Sequence, residues 1–192
     1  MMEPLPFVTI ACLLIVICGP MFSGKSTAIF RYVSRALRAH KKVMVFVPKR
    51  DTRSSGQVVT HGGQSLSSLG VKPIAIDASY EILQLLQPGT DCVVIDEAQF
   101  FDPILVDVVM ELKTRSIEVV VAGLDMTSEG DTFGPMGDLT AKADRVEKIT
   151  AICSCGREAT RTLFRGGKTE TIVVGGDDLY EATCFPCWTQ RK

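Results

Sequence analysis

The segment Gly19–Ser26, with the sequence GPMFSGKS, constrains the fold of this chain more than any other stretch. It fits the P-loop pattern G-x-x-x-x-G-K-[ST], which joins a buried strand to the start of a helix. The apolar run Phe7–Cys18 precedes it, and Lys25–Ala39 follows it with apolar residues at helical spacing. The sequence therefore predicts a strand, a phosphate-binding loop and a helix in succession. The alternative is an ordinary glycine-rich turn.

The residue types of this loop follow from the chemistry of phosphate binding. Glycines allow backbone N–H groups to surround phosphate oxygens, and the N-terminus of the following helix favours negative charge. Lys25 is placed to reach the β- and γ-phosphates of ATP, and Ser26 offers its hydroxyl to Mg2+. The predicted ATP-binding residues of the loop are Gly19, Pro20, Met21, Phe22, Ser23, Gly24, Lys25 and Ser26.

The segment Cys92–Phe101, CVVIDEAQFF, begins with an apolar strand that ends in two acidic residues. A P-loop enzyme needs a carboxylate near its metal at the tip of a neighbouring strand, and Asp96 fits that role. Glu97 comes one residue later and is placed to accept a proton from an attacking water or hydroxyl. The alternative for Glu97 is a solvated acid at a strand end. DEAQ also resembles the helicase signature DEAD, but a second motor domain does not fit this length.

The remaining pattern predicts an α/β fold. Strands alternate with helices, and the strands are apolar on both faces, which indicates a parallel sheet covered by helices. Arg53–Leu69 has no clear period and is predicted to be a surface loop or hairpin. Further strands are predicted at Val43–Val47, Pro73–Ile76, Cys92–Ile95 and Ile117–Ala122, and further helices at Tyr80–Leu86 and Pro103–Lys113.

Composition excludes several classes of protein. With 46% hydrophobic and 22% charged residues among 192, the chain is not expected to be disordered. A net charge of −1 offers no basic field for nucleic acid. Phe7–Cys18 is too short to span a bilayer and lacks the flanks of a signal peptide. We expect no membrane partner, and the paired cysteines near the C-terminus, which suit metal ligands in a reducing compartment, indicate a cytoplasmic location.

Four of the seven cysteines lie in two close pairs near the C-terminus. Cys153 and Cys155 form a C-x-C pair, and Cys184 and Cys187 form a C-x-x-C pair. Four thiolates would close the coordination of a structural Zn2+. The alternatives are reduced thiols or a redox pair. We predict a P-loop domain over residues 1–150 and a small β-rich, zinc-bound domain over 151–192, which the metal would staple.

The chain resembles the type II thymidine kinases, which have a RecA-like P-loop domain and a zinc-held lasso. The resemblance rests on GPMFSGKST, DEAQFF, a later GLD followed by FG, and the final C-x-x-C, in the family's order. It covers about Cys18–Cys187. It implies transfer of the γ-phosphate of ATP to the 5′-hydroxyl of thymidine.

The resemblance also assigns roles to individual residues. It implies Lys25, Arg53 and Glu97 as catalytic residues, with Glu97 as the base for the 5′-hydroxyl. Further contacts with ATP and Mg2+ are implied at Asp51, Thr52, Arg53, Asp96, Glu97, Ala98 and Gln99. The thymine pocket is implied at Met21, Phe100, Leu124 and Phe133. The lasso and its substrate contacts are implied at Thr162, Thr171, Ile172, Val173, Val174, Gly175 and Tyr180.

The family further implies a homotetramer, feedback inhibition by dTTP, and deoxyuridine as a second substrate. Ser128 stands where many members carry a phenylalanine, and Ser54–Ser55 replaces the family's aromatic residue after Arg53. Three alternatives remain: a kinase of another deoxynucleoside, a zinc-ribbon P-loop ATPase acting on nucleic acid, and a catalytically silent relative.

Overall fold

A parallel sheet forms the centre of the protein. The computed structural model describes residues 13–49, 58, 63–166 and 179–191. Within them six strands lie in the order β3-β2-β4-β5-β1-β6, and every neighbouring pair is parallel. These strands are β1 Leu14–Cys18, β2 Val43–Pro48, β3 Ile74–Ile76, β4 Cys92–Ile95, β5 Glu118–Gly123 and β6 Arg145–Lys148.

Helices cover both faces of this sheet. These helices are α1 Lys25–Arg38, α2 Glu81–Leu85, α3 Leu105–Thr114 and α4 Met136–Lys142, and a fifth helix, α5 Phe185–Arg191, lies in the C-terminal tail. Along β1, Leu14 and Val16 pack in the core shared with α2, α3 and α4, whereas Ile15 and Ile17 pack in the core shared with α1. Alternate residues of a strand face opposite sides, so a strand covered on both sides must be apolar throughout. The predicted α/β class with a RecA-like parallel sheet is confirmed.

The structure refines several predicted boundaries. The strand predicted over Phe7–Cys18 begins at Leu14, and residues 7–12 lie outside the described part. A 3-10 helix over Leu66–Leu69 ends the segment predicted to be a surface loop, and Leu66 is fully buried there. Residues 53–57 and 59–62 of that segment lie outside the described part. Helix α4 and strand β6 have no counterpart among the predicted elements, because their short segments show weak periodicity.

Four short strands follow the sheet. Strands β7 Ala151–Ile152 and β8 Glu158–Ala159 pair antiparallel, as do β9 Arg161–Phe164 and β10 Tyr180–Thr183. A cluster of small buried residues, separate from the two cores of the sheet, lies among these strands and comprises Ala151, Cys153, Ala159, Ala182 and Cys184. The division into domains near residue 150 stays a prediction. None of the helices in the described ranges is long and apolar enough to cross a membrane.

Candidate active site and metal centre

The predicted catalytic segments meet at one edge of the sheet. The P-loop follows β1, Asp96 follows β4, and Leu124 follows β5. These strands are parallel neighbours in the order β4-β5-β1, with Ile95 opposite Val121 and Cys18 opposite Gly123. Their carboxyl ends therefore lie side by side, which is where open α/β sheets bind ligands.

The P-loop packs tightly against the end of β6. Gly19 has a φ of +148°, and a Cβ built on it would lie 2.1 Å from the carbonyl oxygen of Ile149. The Ile149 N–H donates to the carbonyl oxygen of Cys18 at 2.8 Å, which holds the two segments together. Only glycine fits this close approach of two backbones.

Lys25, the first residue of α1, folds its side chain over the loop. Its Nζ donates to the carbonyl oxygens of Pro20 at 2.7 Å and Gly19 at 3.2 Å. The Ser23 hydroxyl also donates to the Pro20 carbonyl oxygen, at 2.8 Å. The ammonium group thus lies inside the ring of loop backbone that the P-loop pattern predicts for the phosphates.

Asp96 and Glu97 lie just beyond the end of β4. Asp96 is buried, and its Oδ1 accepts the Glu97 N–H at 2.8 Å. Glu97 has a φ of 50° and a ψ of 40°, in the left-handed region that residues with a side chain rarely adopt. Such strained backbone concentrates at functional sites, where neighbouring contacts hold it in place.

Gln99 connects this strained turn to the end of β5. It is 2% exposed, its Nε2 donates to Glu97 Oε2, and its Oε1 accepts the Leu124 N–H at 2.9 Å. The family resemblance implies Gln99 as a contact for ATP and Mg2+, and not as a link to Leu124. Gln99 and Leu124 are 25 positions apart, so no local pattern in the sequence indicates that they form a hydrogen bond.

Two aromatic rings of the predicted thymine pocket contact each other. Phe100 and Phe133 lie edge to face, with ring centroids 5.6 Å apart and planes at 84°. Phe133 ends a short hairpin that begins at Leu124, and its N–H donates to the Asp125 carbonyl oxygen at 3.1 Å. Leu124 is also buried. The fold thus brings together three of the four residues implied for the base.

The fourth, Met21, lies on the P-loop and contacts the C-terminal tail. Its N–H donates to Thr162 Oγ1 at 3.1 Å, and Thr162 is buried on β9. Tyr180 on β10 packs its ring against Phe164 with centroids 5.1 Å apart. A hydrogen bond across 141 positions therefore ties the predicted lasso to the phosphate loop.

The other predicted site residues fall outside the part that the structure describes. They are Asp51, Thr52, Arg53, Thr171, Ile172, Val173, Val174 and Gly175. Their roles stay predictions. Ala98, by contrast, is fully buried in the core beneath the Asp96 turn.

The four paired cysteines converge at one point. The sulfur atoms of Cys153, Cys155, Cys184 and Cys187 all lie within 4.8 Å of one another. The Sγ atoms of Cys155 and Cys184 are 3.6 Å apart. A tetrahedral Zn2+ with Zn–S bonds of about 2.3 Å separates its sulfur ligands by about 3.8 Å. The cluster thus fits a closed, four-thiolate metal site.

Local elements account for this convergence. Cys153 and Cys155 lie in the turn between β7 and β8, while Cys184 and Cys187 bracket the start of α5. Backbone hydrogen bonds from Cys155 and Cys184 lower the pKa of Cys153 to about 6, favouring the thiolate that binds metal. Hydrogen bonding to Cys184 and Cys155 raises the pKa of Cys187.

Two other thiols have a different environment. Cys18 and Cys92 are buried in strands of the sheet, and burial raises the pKa of Cys92 to about 12. Burial also raises the pKa of Cys18. Both lie in apolar runs of the sequence, and both behave as small apolar core residues. The remaining cysteine, Cys12, lies outside the described part.

The fold and the site define a P-loop protein with four converging cysteine sulfur atoms, spaced as in a metal site, in its C-terminal tail. The thymidine kinase family model matches residues 12–188. The chain therefore belongs to the thymidine kinase family. It is 42% identical over 180 residues to a thymidine kinase of Deinococcus radiodurans, a match spanning 87% of this chain and 85% of that protein. It is 43% identical over 175 residues to a thymidine kinase of Bacteroides fragilis, spanning 90% and 85% of the two chains.

Proposed function

We propose that this chain is an ATP-dependent thymidine kinase, which transfers the γ-phosphate of ATP to the 5′-hydroxyl of thymidine. One observation carries the proposal beyond family membership. The strained Glu97 follows the Asp96 strand end at the same sheet edge as the P-loop, with its carboxylate oriented by Gln99. This arrangement offers an oriented base beside a phosphate-binding loop.

The proposed reaction is in-line phosphoryl transfer. Glu97 accepts the proton of the 5′-hydroxyl while that oxygen attacks the γ-phosphorus. The bond between the γ-phosphorus and the β–γ bridging oxygen breaks, and ADP leaves. Lys25 neutralises charge on the phosphates, and the loop N–H groups hold them in position. We propose Arg53 as a further cation near the transferred group, on the family resemblance alone.

Ser26 and Asp96 are the residues proposed to hold Mg2+. A hydroxyl and a carboxylate are ligands that Mg2+ prefers, and Asp96 Oδ1 is oriented by its bond to the Glu97 N–H. When bound, Mg2+ would neutralise the developing charge on the phosphate oxygens. The proposed Zn2+ would be held by the four cysteines and would stabilise the tail, with no open position for chemistry.

The base of the nucleoside is proposed to lie against Met21, Phe100, Leu124 and Phe133. The edge-to-face pair of Phe100 and Phe133 supports an apolar wall for the 5-methyl group of thymine. Deoxyuridine, which lacks that methyl group, is proposed as a weaker substrate. Thr162, the run 171–175 and Tyr180 are proposed to close over the substrate. The Met21–Thr162 hydrogen bond supports closure onto the P-loop.

Regulation and assembly are proposed from the family alone. They comprise inhibition by dTTP in the nucleoside pocket and a homotetramer. A cytoplasmic location is proposed from the paired cysteines, which would remain reduced and available to metal there.

The test is phosphate transfer from labelled ATP with Mg2+ to thymidine, deoxyuridine, deoxycytidine and deoxyadenosine. Glu97→Gln is measured alongside, with Glu158→Gln as a matched control on the exposed surface of β8. We expect transfer to thymidine above all. In Glu97→Gln we expect kcat to fall by ~100- to 10,000-fold with ATP binding retained. The control should keep the wild-type rate.

Other outcomes assign other functions. Preferred transfer to another nucleoside would make the protein a kinase of that nucleoside. ATP hydrolysis stimulated by DNA or RNA, and strongly weakened by salt, would indicate the zinc-ribbon ATPase. ATP binding without any transfer would indicate a silent relative. Near-normal turnover in Glu97→Gln would remove Glu97 from the mechanism while leaving the substrate assignment intact.

A further inference from the structure

Trp188 connects the cysteine cluster to a turn from an earlier part of the chain. It follows Cys187 in α5 and is only 8% exposed. Its indole Nε1 donates to the carbonyl oxygen of Ser128 at 3.0 Å. Ser128 belongs to the turn that follows β5, 60 positions earlier in the chain. A buried indole N–H requires such a partner, so the bond specifies one position for the turn.

The indole ring also packs against the backbone of this turn. Gly130 has a φ of +93°, and a Cβ built there would lie 3.0 Å from the Trp188 ring. The Gly130 N–H donates to the Thr127 carbonyl oxygen at 3.1 Å, which closes the turn. The ring therefore lies so close to the backbone of the turn that a side chain at position 130 would press against it.

The turn is the tip of the hairpin that carries the proposed base pocket. Met126 and Thr132 form an antiparallel bridge, and the Thr127 N–H donates to the Asp131 carbonyl oxygen at 2.9 Å. The hairpin begins at Leu124 and ends at Phe133. A shift of its tip is transmitted to both pocket residues, because the bridge keeps the two arms in register.

Helix α5 is itself held firmly on the tail. The Phe185 and Trp188 rings stack with centroids 6.0 Å apart, and the Arg161 guanidinium lies 5.4 Å from the centre of the Phe185 ring. Arg191 forms an ion pair with Glu181 of β10 at 2.9 Å. Cys187, one residue before Trp188, belongs to the cysteine cluster. These contacts hold α5, and with it the indole of Trp188, in one position.

We infer that Trp188 is a positioning residue for the nucleoside pocket, holding the Ser128–Gly130 turn in place and coupling the cysteine cluster to nucleoside affinity. The inference rests on the proposed thymidine kinase function. Trp188 does not touch the proposed substrate site and acts through the hairpin. Removing the indole should therefore weaken nucleoside binding and leave the phosphate loop and the proposed catalytic base, Glu97, unchanged.

The first test compares Trp188→Phe and Trp188→Ala with the wild type, and with Gln190→Ala on the exposed surface of the same helix. Losing one neutral hydrogen bond is worth about a factor of 5 in equilibrium, so Trp188→Phe should raise the KM for thymidine ~5-fold. Trp188→Ala should raise it ~10-fold or more. The KM for ATP, kcat and the metal content should change less than ~2-fold. Gln190→Ala should match the wild type throughout.

A second test does not depend on replacing the indole alone. In Gly130→Ala the new Cβ meets the ring, so the KM for thymidine should rise by ~5-fold or more. In the double variant Gly130→Ala with Trp188→Ala that contact is removed, so the combined effect should be smaller than the product of the two single effects. Multiplying effects would show that the turn and the ring act independently.

A third readout is spectroscopic. Trp188 is the chain's single tryptophan, so its fluorescence reports this contact alone. Adding thymidine to the wild type without ATP should change the emission, and the titration should give the thymidine affinity directly.

These results separate the two proposals. Transfer to thymidine by the wild type, with unchanged thymidine KM in folded, metal-containing Trp188 variants and no change in emission, would overturn the positioning role only. A wild type that does not phosphorylate thymidine would overturn the proposed function itself.

Discussion

The side-chain amide of Gln99 donates a hydrogen bond to the carboxylate of Glu97, and its carbonyl oxygen accepts the backbone N–H of Leu124 at 2.9 Å. One buried amide thus orients the proposed catalytic base, Glu97, and fixes the start of the hairpin that carries the proposed thymine pocket. Both bonds have a fixed direction, because an amide offers its donors and its acceptor on opposite sides. Gln99 is therefore a positioning residue both for the proposed catalytic base, Glu97, and for the proposed thymine pocket.

Gln99→Leu should lower kcat by ~10- to 100-fold, because a hydrogen bond to a charged group is lost and the Leu124 N–H is left without this partner. The measurement is steady-state phosphate transfer to thymidine, with ATP affinity measured separately. Gln84→Leu is the matched control, since Gln84 is exposed on α2. Equal rates in the two variants would show that Glu97 needs no orientation by Gln99.

Gly19→Ala should destabilise the fold and abolish ATP binding. Its Cβ would lie 2.1 Å from the Ile149 carbonyl oxygen, so the end of β6 must move. We expect a loss of ~3 kcal/mol, or ~6–12 °C in Tm. Gly89→Ala is the control, because Gly89 also has a positive φ, +75°, but has open space around its Cβ position.

For Gly89→Ala, backbone strain of about 1 kcal/mol should lower the Tm by only ~2–4 °C, with ATP binding retained. Thermal unfolding without nucleotide and an ATP titration measure both effects. A Gly19→Ala variant as stable as Gly89→Ala would mean that the loop relaxes away from Ile149 at little cost.

Removal of metal with a chelator should destabilise the tail. Metal analysis of the purified protein should find about one zinc per chain, since four thiolates close a tetrahedral site. After chelation we expect a lower Tm, and Trp188 emission shifted to longer wavelength as α5 loosens from the Ser128–Gly130 turn. Restoring zinc should reverse both changes. If neither Tm nor emission responds, the cysteines are plain thiols and hold no structural metal.

Glu181→Gln should make stability less dependent on pH in the acid range. Hydrogen bonds from Arg191 and Arg165, opposed by burial, lower the pKa of Glu181 to about 2. A carboxylate with a lowered pKa stabilises the fold fully above its unfolded pKa of about 4.3. That contribution is lost as pH falls toward about 2, where the folded group takes up its proton.

At pH 7 the variant should therefore melt ~2–4 °C below the wild type, and the difference should shrink as pH falls below about 4.5. Thermal melts of both proteins across this range give the difference directly, and the effects of acid on the rest of the molecule cancel. A difference that is constant with pH would assign the loss to packing rather than to charge.

Sequence patterns predicted the parts of the site that local chemistry requires. The succession of β1, P-loop and α1 follows from glycine spacing and apolar periodicity, and the structure begins α1 at Lys25 as predicted. The strand Cys92–Ile95 has the predicted bounds, with Asp96 at its end. The two cysteine pairs also predicted a shared metal site, and their sulfur atoms converge.

Contacts between distant segments were beyond sequence reasoning. The Gln99–Leu124 bond, the Met21–Thr162 bond and the Trp188–Ser128 bond depend on which elements the fold brings together. Strand β6 pairs with β1 only because α4 returns the chain to that edge. A single sequence carries no signal for such pairs, since they obey no local period.

By itself, the sequence determined the kind of chemistry, because phosphate binding and metal binding demand particular residue types at short, regular spacing. The tertiary structure alone decided how those groups are aimed. Side-chain orientation depends on hydrogen bonds and packing from residues 25 to 141 positions away, as for Leu124 with Gln99 and Met21 with Thr162. Such contacts exist only once the sheet has assembled and its carboxyl edge has gathered the loops.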